Sequence, residues 1–178
     1  MKTPLLFYFI LFNLNIGFGQ NTAFLKKLKN SDSIVAISHK TLDKYRFNKC
    51  DSLGNFIPGQ SLLKSDDINP DVIVKKFRLS TEQINELVFE LSSEVKVSGV
   101  GACIDTHHSI LMYSKGKLDY LDICFRCQNF TYSISSDKLA FSYLHWANLE
   151  FFMNSLGLIR KDLNYDGPIK LFDCRELR

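Results

Sequence analysis

The chain lacks a strong charge of either sign. Its 178 residues carry 22 Lys and Arg against 19 Asp and Glu, a net charge of +3. That balance is too mild to hold a nucleic acid or an anionic membrane by electrostatics. Proline is scarce, with four residues, and there is a single tryptophan, Trp146. No repeat at solenoid periods and no low-complexity tract interrupts the chain, which excludes repeat arrays and compositionally biased linkers. It has no Gly-rich phosphate loop, no G-x-S-x-G and no H-E-x-x-H, so the common nucleotide, serine-hydrolase and zinc-protease signatures are missing.

Apolar runs are also few, and the one long run lies at the start. Residues 5–14 read LLFYFILFNL, preceded by a single charge at Lys2 and followed by small residues at Gly17 and Gly19. A basic start, a short apolar stretch and a small-x-small site form the grammar of a cleavable secretory leader. A membrane-spanning helix needs about 20 apolar residues, roughly twice this length. Residues 1–19 are therefore expected to be a signal peptide, and residues 20–178 a single exported domain, periplasmic, surface-bound or secreted. No membrane span is expected once the leader is removed, and no Cys follows the run to take a lipid.

What is present suits a folded domain. Hydrophobic residues make up 46% and aromatics 13%, including 15 Phe and 7 Tyr, enough to build a core. Residues 21–30 form a short amphipathic opening of helical character. Residues 33–39 (SIVAISH) read as a strand. Residues 40–70, with Gly54, Pro58, Gly59 and Pro70, read as a loop-rich excursion. Residues 72–79 return to strand pattern and end at Ser80, which with Gln83 fits a capping box. Ile84, Leu87, Val88 and Leu91 then recur at helical spacing. Strands follow at 95–104, 109–114, 118–125 and 129–135. A helix over 139–156 carries Leu144, Leu149, Phe152 and Leu156, and Gly157 suits its C′ position. The sum is an α+β fold: an antiparallel sheet of four to six strands with two main helices on one face.

Three of the five cysteines gather around one hairpin. Cys103 and the pair His107–His108 precede the turn at Lys115-Gly116-Lys117, and Cys124 and Cys127 follow it. Register decides which histidine meets Cys124. Pairing Ser114 with Lys117 sets His107 opposite Cys124; pairing Ser114 with Leu118 sets His108 there, and also places Ile110 and Met112 on one face with Leu118 and Tyr120.

Three readings of the cluster remain open. Cys103, His108, Cys124 and Cys127 could hold zinc, which favours tetrahedral sets of thiolates and imidazole and the bite of a C-x-x-C loop. Cys124 and Cys127 could cycle between dithiol and disulfide, with a nearby His favouring thiolate. Or the cysteines, including Cys50 and Cys174, could be structural disulfides suited to an oxidising compartment, in a non-enzymatic surface-binding module. His39 and His145 read as hydrogen-bonded structural residues, and Phe151 and Phe152 as core. Asp119 and Asp122 differ in strand parity and cannot share a face, so they form no acid–base pair.

The stretch Cys103 to Tyr113, a Gly-Lys turn and Ile123-Cys-Phe-Arg-Cys127 resemble a group of small bacterial exported proteins of unassigned activity, with the pattern C-x-x-P-x-H-x-I followed by I-C-F-x-C. The phrase Phe151-Phe152 with Gly157-Leu158 is similar to theirs as well. The resemblance implies Cys103, His108, Cys124 and Cys127 as the matching positions, and so favours His108 over His107. The chain departs at Thr106, where the group has Pro. No activity comes with the resemblance.

Overall fold

The computed structural model describes residues 21–40, 42, 61–93, 106–134 and 139–158, with the backbone of 49–50 and 172–173. The leader, residues 41, 43–48 and 51–60 of the 40–70 excursion, the strand expected at 95–104 with Cys103, and Cys174 lie outside these residues.

The fold is α+β. Its frame is a five-stranded antiparallel sheet in the order β5-β1-β6-β7-β8. These strands are β1 (Ser33–His39), β5 (Ile73–Arg78), β6 (His108–Ser114), β7 (Lys117–Cys124) and β8 (Asn129–Tyr132). Between β1 and β5 the chain makes three two-residue strands' worth of side structure: β2 (Lys49–Cys50), then β3 (Leu63–Lys64) hairpinned to β4 (Asp67–Ile68). β2 pairs with β9 (Phe172–Asp173) near the end of the chain.

Strand alternation splits the apolar residues between two faces. Ile34, Ala36, Ile110, Met112, Leu121 and Ile123 point to one side, where the three described α-helices cover them. α1 (Thr22–Asn30) contributes Phe24 and Leu28; α2 (Thr81–Glu90) contributes Leu87 and Val88; α3 (Tyr143–Ser155) contributes Trp146, Leu149, Phe152 and Met153. Each such side chain contributes about 1.5–3 kcal/mol on full burial. On the other side Ile37 and Leu111 pack with Leu42, Leu62 and Val72, so a layer of loop and short strand covers this face. β6, buried on both faces, reads as a continuous apolar run for that reason.

The helix ends follow their local chemistry. Gln83 N donates to Ser80 Oγ over 3.3 Å, and Ser80 N donates to Gln83 Oε1 over 2.9 Å, the expected capping box. α3 begins at Tyr143 and not at 139, because Ser142 supplies a second box of the same kind with His145 in the third position. Its end is a Schellman motif: Leu158 N donates to Met153 O and Gly157 N to Asn154 O, with Gly157 at φ +73°. Along α3, Leu149 and Phe152 are buried as expected, whereas Leu144 and Phe151 are 58% and 73% exposed. The helix presents one apolar face inward, and these two lie off it.

Candidate functional site

The hairpin turn sets the geometry of the Cys/His region. Lys115 and Gly116 both have positive φ, +50° and +74°, the combination a two-residue type I′ turn requires. Ser114 therefore pairs with Lys117, and His108 with Ile123. The three-residue loop, which the packing of Ile110 and Met112 with Leu118 and Tyr120 favoured, does not form. Ile110 and Met112 instead share their face with Leu121 and Ile123.

This register separates His108 from Cys124. His108 is buried on the helix side, where its Nε2 lies 2.9 Å from Leu158 O and its ring meets Phe125 edge-on at 5.1 Å. A carbonyl only accepts, so Nε2 carries a proton there and offers no lone pair to a metal. Cys124 pairs with Asn129, and its strand parity with Asp122 turns it to the opposite face, as a buried free thiol. Cys127 is disulfide-bonded, and with Cys124 free its partner sulfur lies beyond the described side chains. Cys103 falls outside the described residues. Of the four positions read as zinc ligands, the three that are described are thus split between two faces, with one sulfur already spent. Among the described residues no group of three or more Cys, His, Asp or Glu is arranged to hold a metal ion.

The chemistry concentrates instead around Asp122, which is 1% exposed. Its Oδ1 lies 3.0 Å from His39 Nε2 and accepts from Ser109 Oγ at 2.9 Å; its Oδ2 accepts from Thr106 Oγ1 at 2.8 Å. Ser109 is the cross-strand partner of Asp122, so the sheet register itself brings those two together. His39 arrives from the end of β1, where a β-bulge against β5 interrupts the pairing between Ser38 and His39. His107 stands beside it, ring centroids 6.4 Å apart, held by backbone bonds from His39 N to His107 O and from His107 N to Ile123 O.

The hydrogen bonds fix the protons of this cluster. His39 Nδ1 lies 2.8 Å from the Lys40 carbonyl, which accepts only, so Nδ1 carries a hydrogen. One further proton is shared along the Nε2–Oδ1 contact, and a buried ion pair or its neutral equivalent satisfies both groups. The arrangement resembles part of a catalytic triad but differs in the decisive contact. Ser109 and Thr106 donate to the carboxylate and not to the imidazole, and the far nitrogen of His39 faces a carbonyl. No described hydroxyl is therefore activated by His39. Asp119, on the other face, forms an ion pair with Lys27 of α1 at 2.6 Å, in keeping with the parity argument.

His145 is a further engaged histidine. Ser142 N donates to its Nδ1 over 3.0 Å, so Nδ1 has no hydrogen and Nε2 donates to Ser93 Oγ over 2.8 Å. Burial holds this imidazole below its ordinary range, opposed by its bond to Ser93. A groove of about 680 Å³ lies elsewhere, where the end of α1 meets the start of α2, lined by Lys29, Asp32, Arg78 and Glu82; it includes none of the Cys/His cluster.

The His39–Asp122 pair is the element sequence reasoning missed, because 83 residues separate the partners. A signal was present: Asp122 sits between Leu121 and Ile123 in an apolar run, and a carboxylate so placed requires a partner once buried. Comparison with family models, with curated proteins and with solved structures finds no match to this chain.

Proposed function

We propose that the chain is an exported, non-enzymatic binding module whose cysteines and buried histidines maintain its fold. One observation carries the reading: the described chemistry-bearing side chains of the hairpin region are engaged by the protein itself or buried. His39 is bonded at both ring nitrogens, Asp122 takes three partners, His108 is bonded to a backbone carbonyl, Cys127 is in a disulfide and Cys124 is buried. Groups held in this way stabilise a fold and are costly to redeploy. Export, read from residues 1–19, accords with a disulfide at Cys127, since oxidising compartments preserve such bonds.

The zinc reading on Cys103, His108, Cys124 and Cys127 fits less well, because it needs a thiolate at Cys127 and needs His108 and Cys124 to converge from opposite faces of the sheet. The redox reading needs Cys127 bonded to Cys124. Elemental analysis and thiol counting on natively purified protein test the proposal. The expected outcome is no stoichiometric zinc and a Cys124 thiol that reacts only after unfolding. One zinc per chain, or a Cys124–Cys127 bond that is rapidly reduced and re-formed, would overturn it.

A further inference from the structure

The outer surface of α2 and α3 carries a charge imbalance that neither helix relieves. α2 holds Glu82, Glu86 and Glu90 at four-residue spacing, which aligns them in one stripe, and α3 adds Glu150; neither helix contains Lys or Arg. Glu82 is well placed at the N-terminus, where it accepts from Ser80 Oγ at 2.7 Å. Glu86 is exposed. Glu90 closes the helix at the end where the dipole disfavours an anion, with no basic residue in that turn.

Beside these carboxylates stand four large exposed apolar side chains: Phe89 at 75%, Phe151 at 73%, Tyr143 at 70% and Leu144 at 58%. The Asn148 side chain donates to Glu90, which joins the two helices at this surface. Asn148 lies four residues after Leu144 and three before Phe151, so it sits on their stripe, and Phe89 follows Glu86 by three residues, which sets it beside the carboxylate stripe of α2. Single exposed apolar residues are ordinary, but aromatics clustered on adjoining helices have the composition of an interface core.

We infer, building on the binding-module reading, that this face docks a basic amphipathic segment of a partner protein. Its apolar side chains lie over Phe89, Leu144 and Phe151, and its Lys or Arg residues face Glu86, Glu90 and Glu150. A helical segment with anchors three, four and seven residues apart suits such a surface. Charge complementarity selects this occupant. A second copy of the chain would bring the same carboxylates face to face, and an anionic lipid surface would meet the same repulsion.

The test is fluorescence anisotropy on the purified protein, with a labelled Leu/Lys amphipathic peptide of about 18 residues, or five helical turns, and a Leu/Glu peptide of the same pattern. The Leu/Lys peptide should bind at least about tenfold tighter, with affinity falling as salt rises. Phe151→Ser and Leu144→Ser should each weaken it about fivefold or more, as loss of an apolar anchor does. Glu86→Lys should weaken it and flatten the salt dependence, while circular dichroism and the unfolding midpoint stay unchanged. Equal binding of both peptides, no binding, unchanged affinity in the folded variants, or dimerisation through Phe151 would each overturn the inference. Failure of the binding-module reading would register separately, as zinc or a cycling disulfide in the thiol and metal assay.

Discussion

Replacing Asp122 with alanine removes the acceptor for three groups at once. His39 Nε2, Ser109 Oγ and Thr106 Oγ1 all lie within 3.0 Å of its carboxylate, and the site is closed to water. Breaking one side of a buried pair costs about 3–5 kcal/mol, because the partners left behind are desolvated and unsatisfied. For a chain of this length that is a fall of about 6–20 °C in Tm. Asp122→Asn should cost less, about 1–2 kcal/mol. A flipped amide can donate to a neutral His39 Nε2 and accept from Thr106. Ser109→Ala removes one bond to the same carboxylate and should cost about 1.5–3 kcal/mol. The double change His39→Leu with Asp122→Leu should recover the share of the loss that belongs to the imidazole, since both ionisable partners are then gone, while Ser109 and Thr106 still lack their acceptor. Urea unfolding followed by Trp146 fluorescence measures all four. A cost for Asp122→Ala no larger than for Ser109→Ala would refute the account, since it would mean that the imidazole contact contributes nothing.

Three other outcomes follow from the same geometry. His145 titrates below its ordinary value of 6.5 in the native state, so the unfolded chain takes up a proton that the fold excludes; stability should fall as pH drops through 6.5 and level off only below the depressed native value. His145→Gln, which keeps a capping-box residue at that position, should flatten this part of the stability–pH curve measured by urea midpoints. Peptide mapping under non-reducing conditions should find Cys127 linked to Cys50, Cys103 or Cys174, with Cys124 alkylated only after denaturation. Gly116→Val should destabilise the hairpin by at least about 1 kcal/mol, because a β-branched residue resists positive φ, and chemical denaturation would read it directly.

Much of the sheet was legible because its strands alternate or run apolar over defined stretches. β1 occupies residues 33–39 as read, and the capping box at Ser80 marks the start of α2. The hairpin register was not settled, because both alternatives give sensible apolar faces. The difference lies in whether Lys115 adopts a left-handed backbone conformation beside Gly116, a cost that residue type alone does not reveal. The apolar pair Phe151–Phe152 suggests two core residues, yet adjacent residues on a helix point about 100° apart and only Phe152 faces inward. The closeness of hairpin ends suggests a single Cys/His site. Closeness in the chain does not fix the face, and strand parity sent His108 and Cys124 to opposite sides.

β1 lies between two neighbours that are made later. Its partner β5 begins at Ile73, and on the other side Ser38 pairs with His108, 70 residues further along the chain. Closing a loop of that length costs about 4 kcal/mol of chain entropy by the (3/2)RT ln n relation, whereas the β6–β7 hairpin closes over two residues. The hairpin should therefore form first and present β6 as a template, with β1 inserted afterwards. Until then the segment SIVAISH waits with its backbone unpaired, a short β-prone stretch without charge. A strand held between two neighbours in the finished molecule is thus an exposed liability while the chain folds, and pulsed hydrogen exchange should find β6 and β7 amides protected ahead of the β1 amides.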